Sequence, residues 1–218
     1  MLLRYLPKPV VLAAVLLAAT AAASSANELS NPGFEAGPTG GGAQDWFTFG
    51  NVFTEAPPAA GIQPLAGDQV AKMFGNFSGG FDVTGMFQEV PALPGSEWEM
   101  SSNALHWSGD PLTGSGASTN DNWVVQKIVF KNAGDAEIGA VESVILDGTY
   151  STDTWHAAAA IQGTAPANTV QVEAFILFLQ PDGDGGSAQI DDVVFENISE
   201  PIPVEPVSWG SVKKLELE

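Results

Sequence analysis

Residues 98–107, Trp-Glu-Met-Ser-Ser-Asn-Ala-Leu-His-Trp, alternate with a period of two, and this alternation restricts the chain more than any other feature. In an extended chain successive side chains point to opposite faces. Trp98, Met100, Ser102, Ala104 and His106 then share a small or apolar face suited to a core, while Glu99, Ser101, Asn103, Leu105 and Trp107 share the other. Other runs read the same way. Val70, Lys72 and Phe74 stand opposite Ala71 and Met73; Ile128 and Phe130 point inward while Trp123, Val125 and Lys127 share the outer side. Residues 45–49 read as a strand in which Trp46 anchors the core, and short strands are expected at 138–141 and 143–146. Residues 155–161 hold four alanines, yet the run is too short for an independent helix and reads as a strand. Thr169 to Leu179 is apolar on both faces from Ala174 onward, which predicts a central strand. Gly-, Pro- and Asn-rich stretches at 37–42, 57–58, 109–122, 131–135 and 181–186 separate these runs, the last expected as a hairpin connection to a closing strand at 189–195. The pattern predicts an all-β domain.

The first residues have a different character. Arg4 and Lys8 precede an apolar run from Val10 to Ala23 and then Ser24-Ser25-Ala26, the layout of a secretory signal peptide and short for a membrane span. Residues 1–26 are therefore expected to be removed and the protein exported, to the medium or the cell surface. The formal charge of the whole chain is −19, and losing Arg4 and Lys8 makes it more negative. Such a surface repels nucleic acid and anionic membranes, so neither is an expected partner. The chain has no cysteine, so a core or a bound ion must supply the stability that disulfides give many exported domains. Residues 27–198 suffice for one domain. Residues 199–218 differ again: Pro201, Pro203 and Pro206 mark a linker, and Trp209, Val212 and Leu215 could line one side of a short terminal helix with a surface or assembly partner.

Two acidic stretches lie at opposite ends of the expected domain. Ser30-Asn31-Pro32-Gly33-Phe34-Glu35 opens it, and Gln189-Ile190-Asp191-Asp192-Val193 closes it. If the first and last strands are neighbours, Glu35 and Asp191 or Asp192 face one oxygen-lined gap, with Asp68 as a further oxygen donor. Close carboxylates repel, and a hard cation such as Ca²⁺ relieves the repulsion. The alternative is a solvated turn beside a strand edge blunted by charge.

These stretches, together with Gly85-Met86-Phe87-Gln88-Glu89-Val90, Pro94-Gly95-Ser96-Glu97-Trp98, Trp155 and the Ala165-Pro166-Ala167 turn, resemble the CenC-like carbohydrate-binding modules of families 4 and 9. The resemblance covers Asn27 to Asn197. It implies a galactose-binding-like jelly roll with a structural calcium ion near Gly33, Glu35, Asp68, Asp191 and Asp192, and an aromatic-lined face for a polysaccharide. Trp107 is the first candidate platform, with Asn103 beside it; Trp123 and Lys127 would border the same groove if their strand adjoins it. Phe77 and Phe81, in the Gly-rich 75–82 loop, either stack on sugar or close the end of the sandwich. The chain holds no Gly-x-Ser-x-Gly elbow, no His-Glu-x-x-His helix and no catalytic thiol, and His106 and His156 have no local partners, so a non-catalytic binding module is expected. The competing expectation is an extracellular structural or adhesive sandwich without a sugar cleft.

Overall fold

The computed structural model describes residues 26–56 and 63–199. Residues 1–25 of the proposed leader and 200–218 of the Pro-rich tail lie outside the described residues. The described residues form eleven strands: β1 (Phe47–Phe49), β2 (Asn51–Glu55), β3 (Val70–Phe74), β4 (Asp82–Pro91), β5 (Glu97–Leu105), β6 (Trp123–Asn132), β7 (Glu137–Leu146), β8 (His156–Ala157), β9 (Ile161–Thr164), β10 (Thr169–Gln180) and β11 (Ser187–Asn197). One sheet has the order β1-β4-β10-β6-β7; the other has β2-β3-β11-β5-β8, with β9 also paired to β5. Every pairing is antiparallel, and the two sheets close as a jelly-roll β-sandwich.

The period of two sorts side chains as expected. Trp98, Met100, Ser102, Ala104 and His106 are all buried, and Met86, Ile128, Phe130, Val172, Ile176 and Phe178 meet them from the other sheet. Trp98 stacks on Phe195 with ring centroids 4.9 Å apart, and Trp46 joins the core beside Phe34 at 5.5 Å. Ser102 donates to Gln126 Oε1 across the sandwich at 3.0 Å, and Gln126 Nε2 donates to the Ala159 carbonyl at 2.8 Å. His106 is packed: its Nδ1 accepts from the Leu112 amide at 3.1 Å, its Nε2 meets the Tyr150 carbonyl at 3.0 Å, and burial holds its pKa below the usual histidine value.

β10 is the middle strand of its sheet, as its two-sided apolar pattern predicts. Other expectations change. Residues 181–186 do not make a hairpin, because β10 and β11 lie in different sheets and the segment crosses between them. The two short strands expected within 138–146 are one strand, β7. The expected strand at 155–161 is broken into β8 and the start of β9, with the Ala158 amide bonded to the Ser102 carbonyl between them.

The first described residues run beside β11 without forming a regular strand. The Glu28 amide donates to the Phe195 carbonyl at 2.8 Å, the Val193 amide to the Pro32 carbonyl at 3.1 Å, and Asn27 Nδ2 to the Val193 carbonyl at 2.8 Å. Asn31 makes the irregularity: with φ at 49°, it uses Oδ1 to accept from the Ala36 amide and Nδ2 to donate to the Gln44 carbonyl. Its own carbonyl accepts from Trp46 Nε1. A turn spent on such bonds cannot continue a ladder.

Candidate functional site

One register row on the outer face of the five-stranded sheet crosses all five strands. Phe47 pairs with Phe87, Phe87 with Phe175, Phe175 with Lys127, and Lys127 with Glu142. At the usual strand spacing the row is about 19 Å long. Its inward neighbours Met86, Ile176 and Ile128 belong to the core, so the pleat turns the row away from it. The three phenylalanines stack, with centroids 5.2 Å apart for Phe47 and Phe87 and 4.6 Å for Phe87 and Phe175. Phe47 remains 60% exposed. In the adjacent row Phe49 pairs with Gly85, and a Cβ at Gly85 would collide with the Phe49 ring and with Leu177. Glycine is what lets that ring settle on the sheet.

Polar groups gather beside the aromatics. Glu173 on β10 has no solvent exposure; its Oε1 accepts from Lys131 Nζ at 2.7 Å and from Gln171 Nε2 at 3.3 Å. Its Oε2 is buried without a partner. Burial raises the Glu173 pKa above the usual carboxylate value, against the pull of Lys131, and the charge of the facing Glu89 adds to the rise. Hydrogen bonds to Glu173 and then Asp135 push Lys131 up to about 12. A cavity of about 220 Å³ lies here, lined by Lys127, Val129, Lys131, Glu137, Glu173, Phe175 and Leu177. Lys127 stands 3.6 Å from Glu137 and 3.9 Å from Glu142, too far for a good hydrogen bond to either, so its ammonium retains donor capacity.

Among the expected ligand-binding residues, Lys127 lies in the central row. Trp123 sits at one end of the same face with the Phe81 ring 6.5 Å away and tilted, and Phe81 is 60% exposed. Asn103 and Trp107 belong elsewhere. Asn103 pairs with Asp191 and Ala157 in the six-stranded sheet, and the Trp107 ring covers Gly109 just beyond β5. The groove expected between Trp107 and Trp123 required neighbouring strands, whereas β5 and β6 lie in opposite sheets. The sequence reading missed Phe47, Phe87, Phe175 and Glu173 as site residues. The signal for Phe175 was present in the outward apolar residues of β10.

The expected ion ligands fall into two groups. Asp191 Oδ1 and Asp192 Oδ1 lie 3.7 and 3.8 Å from the point that a Cβ would occupy on Gly33, an oxygen-lined cradle in which a Cβ would make only ordinary contacts. Asp192, at φ 50°, sits where the β11 register shifts, which lets both adjacent carboxylates face that side. Glu35 turns instead to residues 68 and 69, its carboxylate accepting from the amides of Asp68 and Gln69 at 3.0 Å. Asp191 Oδ2 accepts from the amides of Leu65 and Ala66 at 2.9 and 3.1 Å. The gap between Glu35 and Asp191 is thus occupied by the chain itself, a turn clamped by one carboxylate on each side. Asp68 contributes its amide there while its side chain stays exposed. Among the described residues no three or more His, Cys, Asp or Glu side chains converge to hold a metal. The cradle at Gly33 offers the oxygen chemistry that suits a hard cation, with two acidic side chains rather than four. Burial pushes the Asp191 pKa up to about 6 despite its three amide donors, and the Asp192 charge adds to the rise.

No protein-family model matches the chain, and no curated protein does. Solved structures share its fold. The enzymatically active domain of tailspike protein 4 from bacteriophage CBA120 is 14% identical with a TM-score of 0.53, over 79% of this chain and 21% of that one. An arabinose-bound α-L-arabinofuranosidase is 14% identical with a TM-score of 0.52, over 79% and 26%. The chain therefore spans about a fifth and a quarter of those proteins. The module TmCBM61, solved with β-1,4-galactotriose, is 18% identical with a TM-score of 0.49, over 79% and 99%. Among the described residues no helix is long and apolar enough to cross a membrane.

Proposed function

We propose that this protein is an exported, non-catalytic carbohydrate-binding module whose glycan lies along the row from Phe47 to Glu142. The observation that carries the reading is the buried, unpartnered Glu173 Oε2 beside a cavity and a stacked aromatic strip. Pyranose rings present apolar C–H faces and a rim of hydroxyls, and this face offers planes for the first and fixed polar atoms for the second. Phe47, Phe87 and Phe175 act as platforms. Glu173 Oε2 accepts from a hydroxyl, and Lys127 donates to another. The Lys131 ion pair holds Glu173 in place before any ligand arrives, so little ordering is left to do on binding.

Calcium is proposed at the Gly33 cradle, held by Asp191 and Asp192, where its charge would remove their mutual repulsion. Glu35 and Asp68 serve the neighbouring turn. In this reading the ion supports the seam between the two ends of the domain and takes no part in glycan contact.

Affinity electrophoresis through gels containing xyloglucan, arabinoxylan, galactan or β-glucan tests the main reading. The wild type is retarded by one of these, Phe175→Ala loses the retardation, and Glu173→Gln weakens it about tenfold, equivalent to roughly 1.4 kcal/mol. Absence of retardation on every gel, or retardation indifferent to Phe175→Ala, favours the structural or adhesive alternative. That alternative draws on the exposure of Phe47, Phe49 and Val144 on the same face.

A further inference from the structure

The turn between β4 and β5 holds a large apolar side chain in the open. Pro94 and Gly95, the latter at φ 81°, occupy its two central positions, the Pro-Gly order that suits a type II turn, and the Ser96 amide donates to the Leu93 carbonyl at 3.1 Å. Two further bonds brace it: the Gly95 amide donates to the Ala165 carbonyl at 2.8 Å, and the Ala165 amide to the Ser96 carbonyl at 2.8 Å. Leu93 is nevertheless 71% exposed, more than any other large apolar side chain among the described residues. Val170, whose carbonyl accepts from the Ala92 amide at 3.0 Å, is 47% exposed beside it. The two line a cavity of about 830 Å³ together with Pro94, Ala133, Asn132 and Asn168. No residue of its wall carries a charge, on a chain whose formal charge is −19. A firmly held apolar side chain at an uncharged cavity calls for an apolar occupant.

The chain itself delivers one. β11 runs out beside this turn: the Ile198 amide donates to the Glu97 carbonyl at 2.8 Å, and the Glu97 amide to Ser199 Oγ at 2.8 Å. The turn keeps the Leu93 and Ser96 Cα atoms within about 7 Å of each other, and Glu97 is one step of about 3.8 Å further, so the exit at Ser199 lies close to the cavity. Beyond it the sequence reads Glu200-Pro201-Ile202-Pro203-Val204-Glu205-Pro206-Val207-Ser208. Closely spaced prolines favour the polyproline geometry, with three residues per turn and about 3.1 Å per residue. That period gathers Pro201, Val204 and Val207 on one edge, Pro203 and Pro206 on the next, and Ile202, Glu205 and Ser208 on the third. Two apolar edges can then enter a groove while the acid stays outside. Five residues reach about 15 Å from Ser199, enough to bring Val204 to Leu93. Polyproline carbonyls have no internal partners, and the Asn132 and Asn168 side-chain amides in the cavity wall are donors suited to them. We infer that the cavity between Leu93 and Val170 is the docking site of this chain's own 201–207 segment, with Val204 and Val207 as its anchors. Docking fixes the direction in which the chain leaves the domain. This assignment draws nothing from the reading of the Phe175 face.

The test is nuclear magnetic resonance of the full chain with labelled leucine and valine methyl groups. Nuclear Overhauser contacts are expected from the Val204 or Val207 methyls to those of Leu93 and Val170, in the wild type and equally in Phe175→Ala. Val204→Asp should abolish the Val204 contacts and move the Leu93 and Val170 signals, while core signals such as those of Val172 and Val193 stay in place. Val170→Asp, at a half-exposed position, should abolish the contacts from the groove side. Absence of any contact between residues 201–207 and the groove, or Leu93 and Val170 signals indifferent to Val204→Asp, would overturn the assignment and leave the groove to a separate partner. In a mixture of labelled and unlabelled protein, contacts found only between copies would overturn docking within one chain in favour of a second copy.

Discussion

The two sheets bury equivalent inner faces yet present opposite outer ones. Outside the five-stranded sheet, Phe47, Phe87 and Phe175 stack in the open and one carboxylate lies buried among them. Outside the six-stranded sheet, residues 65 and 66 are bonded to Asp191, and Gln63 accepts from Trp155 Nε1, so chain passes over part of the face and shuts polar groups in. The strands themselves do not decide which face stays bare. The loops do, because Glu35 and Asp191 together clamp one turn onto one sheet and, among the described residues, nothing comparable binds to the other. Both faces keep polar atoms unsatisfied, the open one beside a cavity and the covered one beside an exposed aromatic edge.

The strongest contrast lies within β10. Phe178 points inward and is fully buried, so Phe178→Ala should cost about 3–5 kcal/mol and lower the melting temperature accordingly. Phe175→Ala, three residues away on the outer side, should leave the melting temperature much closer to wild type while reducing glycan affinity by more than about tenfold. Equal destabilisation by the two substitutions would mean that the outer face is packed rather than available, and the contrast would collapse.

A smaller effect sharpens the description of the clamped turn. The folded pKa of Asp191, about 6, exceeds its unfolded value near 3.8, so the folded state takes up the proton first. Stability relative to Asp191→Asn should therefore rise as pH falls from 7 to 5, by about 1 kcal/mol in chelator. Using the variant as reference cancels His106, whose lowered pKa acts in the opposite direction, and Glu173. Excess calcium should abolish the rise by holding the carboxylate charged, and chelator should lower the wild-type melting temperature at pH 7. Parallel pH curves for the two proteins in chelator would show that burial does not raise the Asp191 pKa, and a melting temperature indifferent to chelator would assign Asp191 to the turn alone.

The smallest effect concerns Lys127. Its loose ion pairs to Glu137 and Glu142 predict that Lys127→Met changes stability by no more than about 0.5 kcal/mol while lowering glycan affinity a few-fold. Calorimetry beside affinity electrophoresis separates the two, and a large fall in stability with unchanged affinity would make Lys127 a structural residue.

Much of the fold was legible because alternation is local: residues 98–106 announced their buried side, and residues 169–179 their central position. Which outward side chains stay uncovered was not legible. Phe175, Leu177 and Leu179 read as residues buried from both sides, since a sequence pattern registers apolarity and cannot register a missing cover. Trp107 and Trp123 seemed natural partners because one loop joins them, but that loop passes from one sheet to the other. The acidic groups at the two ends were expected to face one shared gap, whereas Glu35 and Asp191 each bind a different part of the 65–69 turn. What intervened was the chain's own supply of amide donors, invisible in spacing because residues 65–69 contribute main chain rather than distinctive side chains.

The pairing of Asn27 and Glu28 with Val193 and Phe195 puts the entrance and exit of the folded body side by side. Such a body behaves as a plug: it can be spliced into a surface loop of a host protein, or strung in series, without prying its host's two splice points apart. Tension applied between those two ends would fall first on the Asn27–Phe195 contacts, which can part while the eleven-stranded shell remains shut.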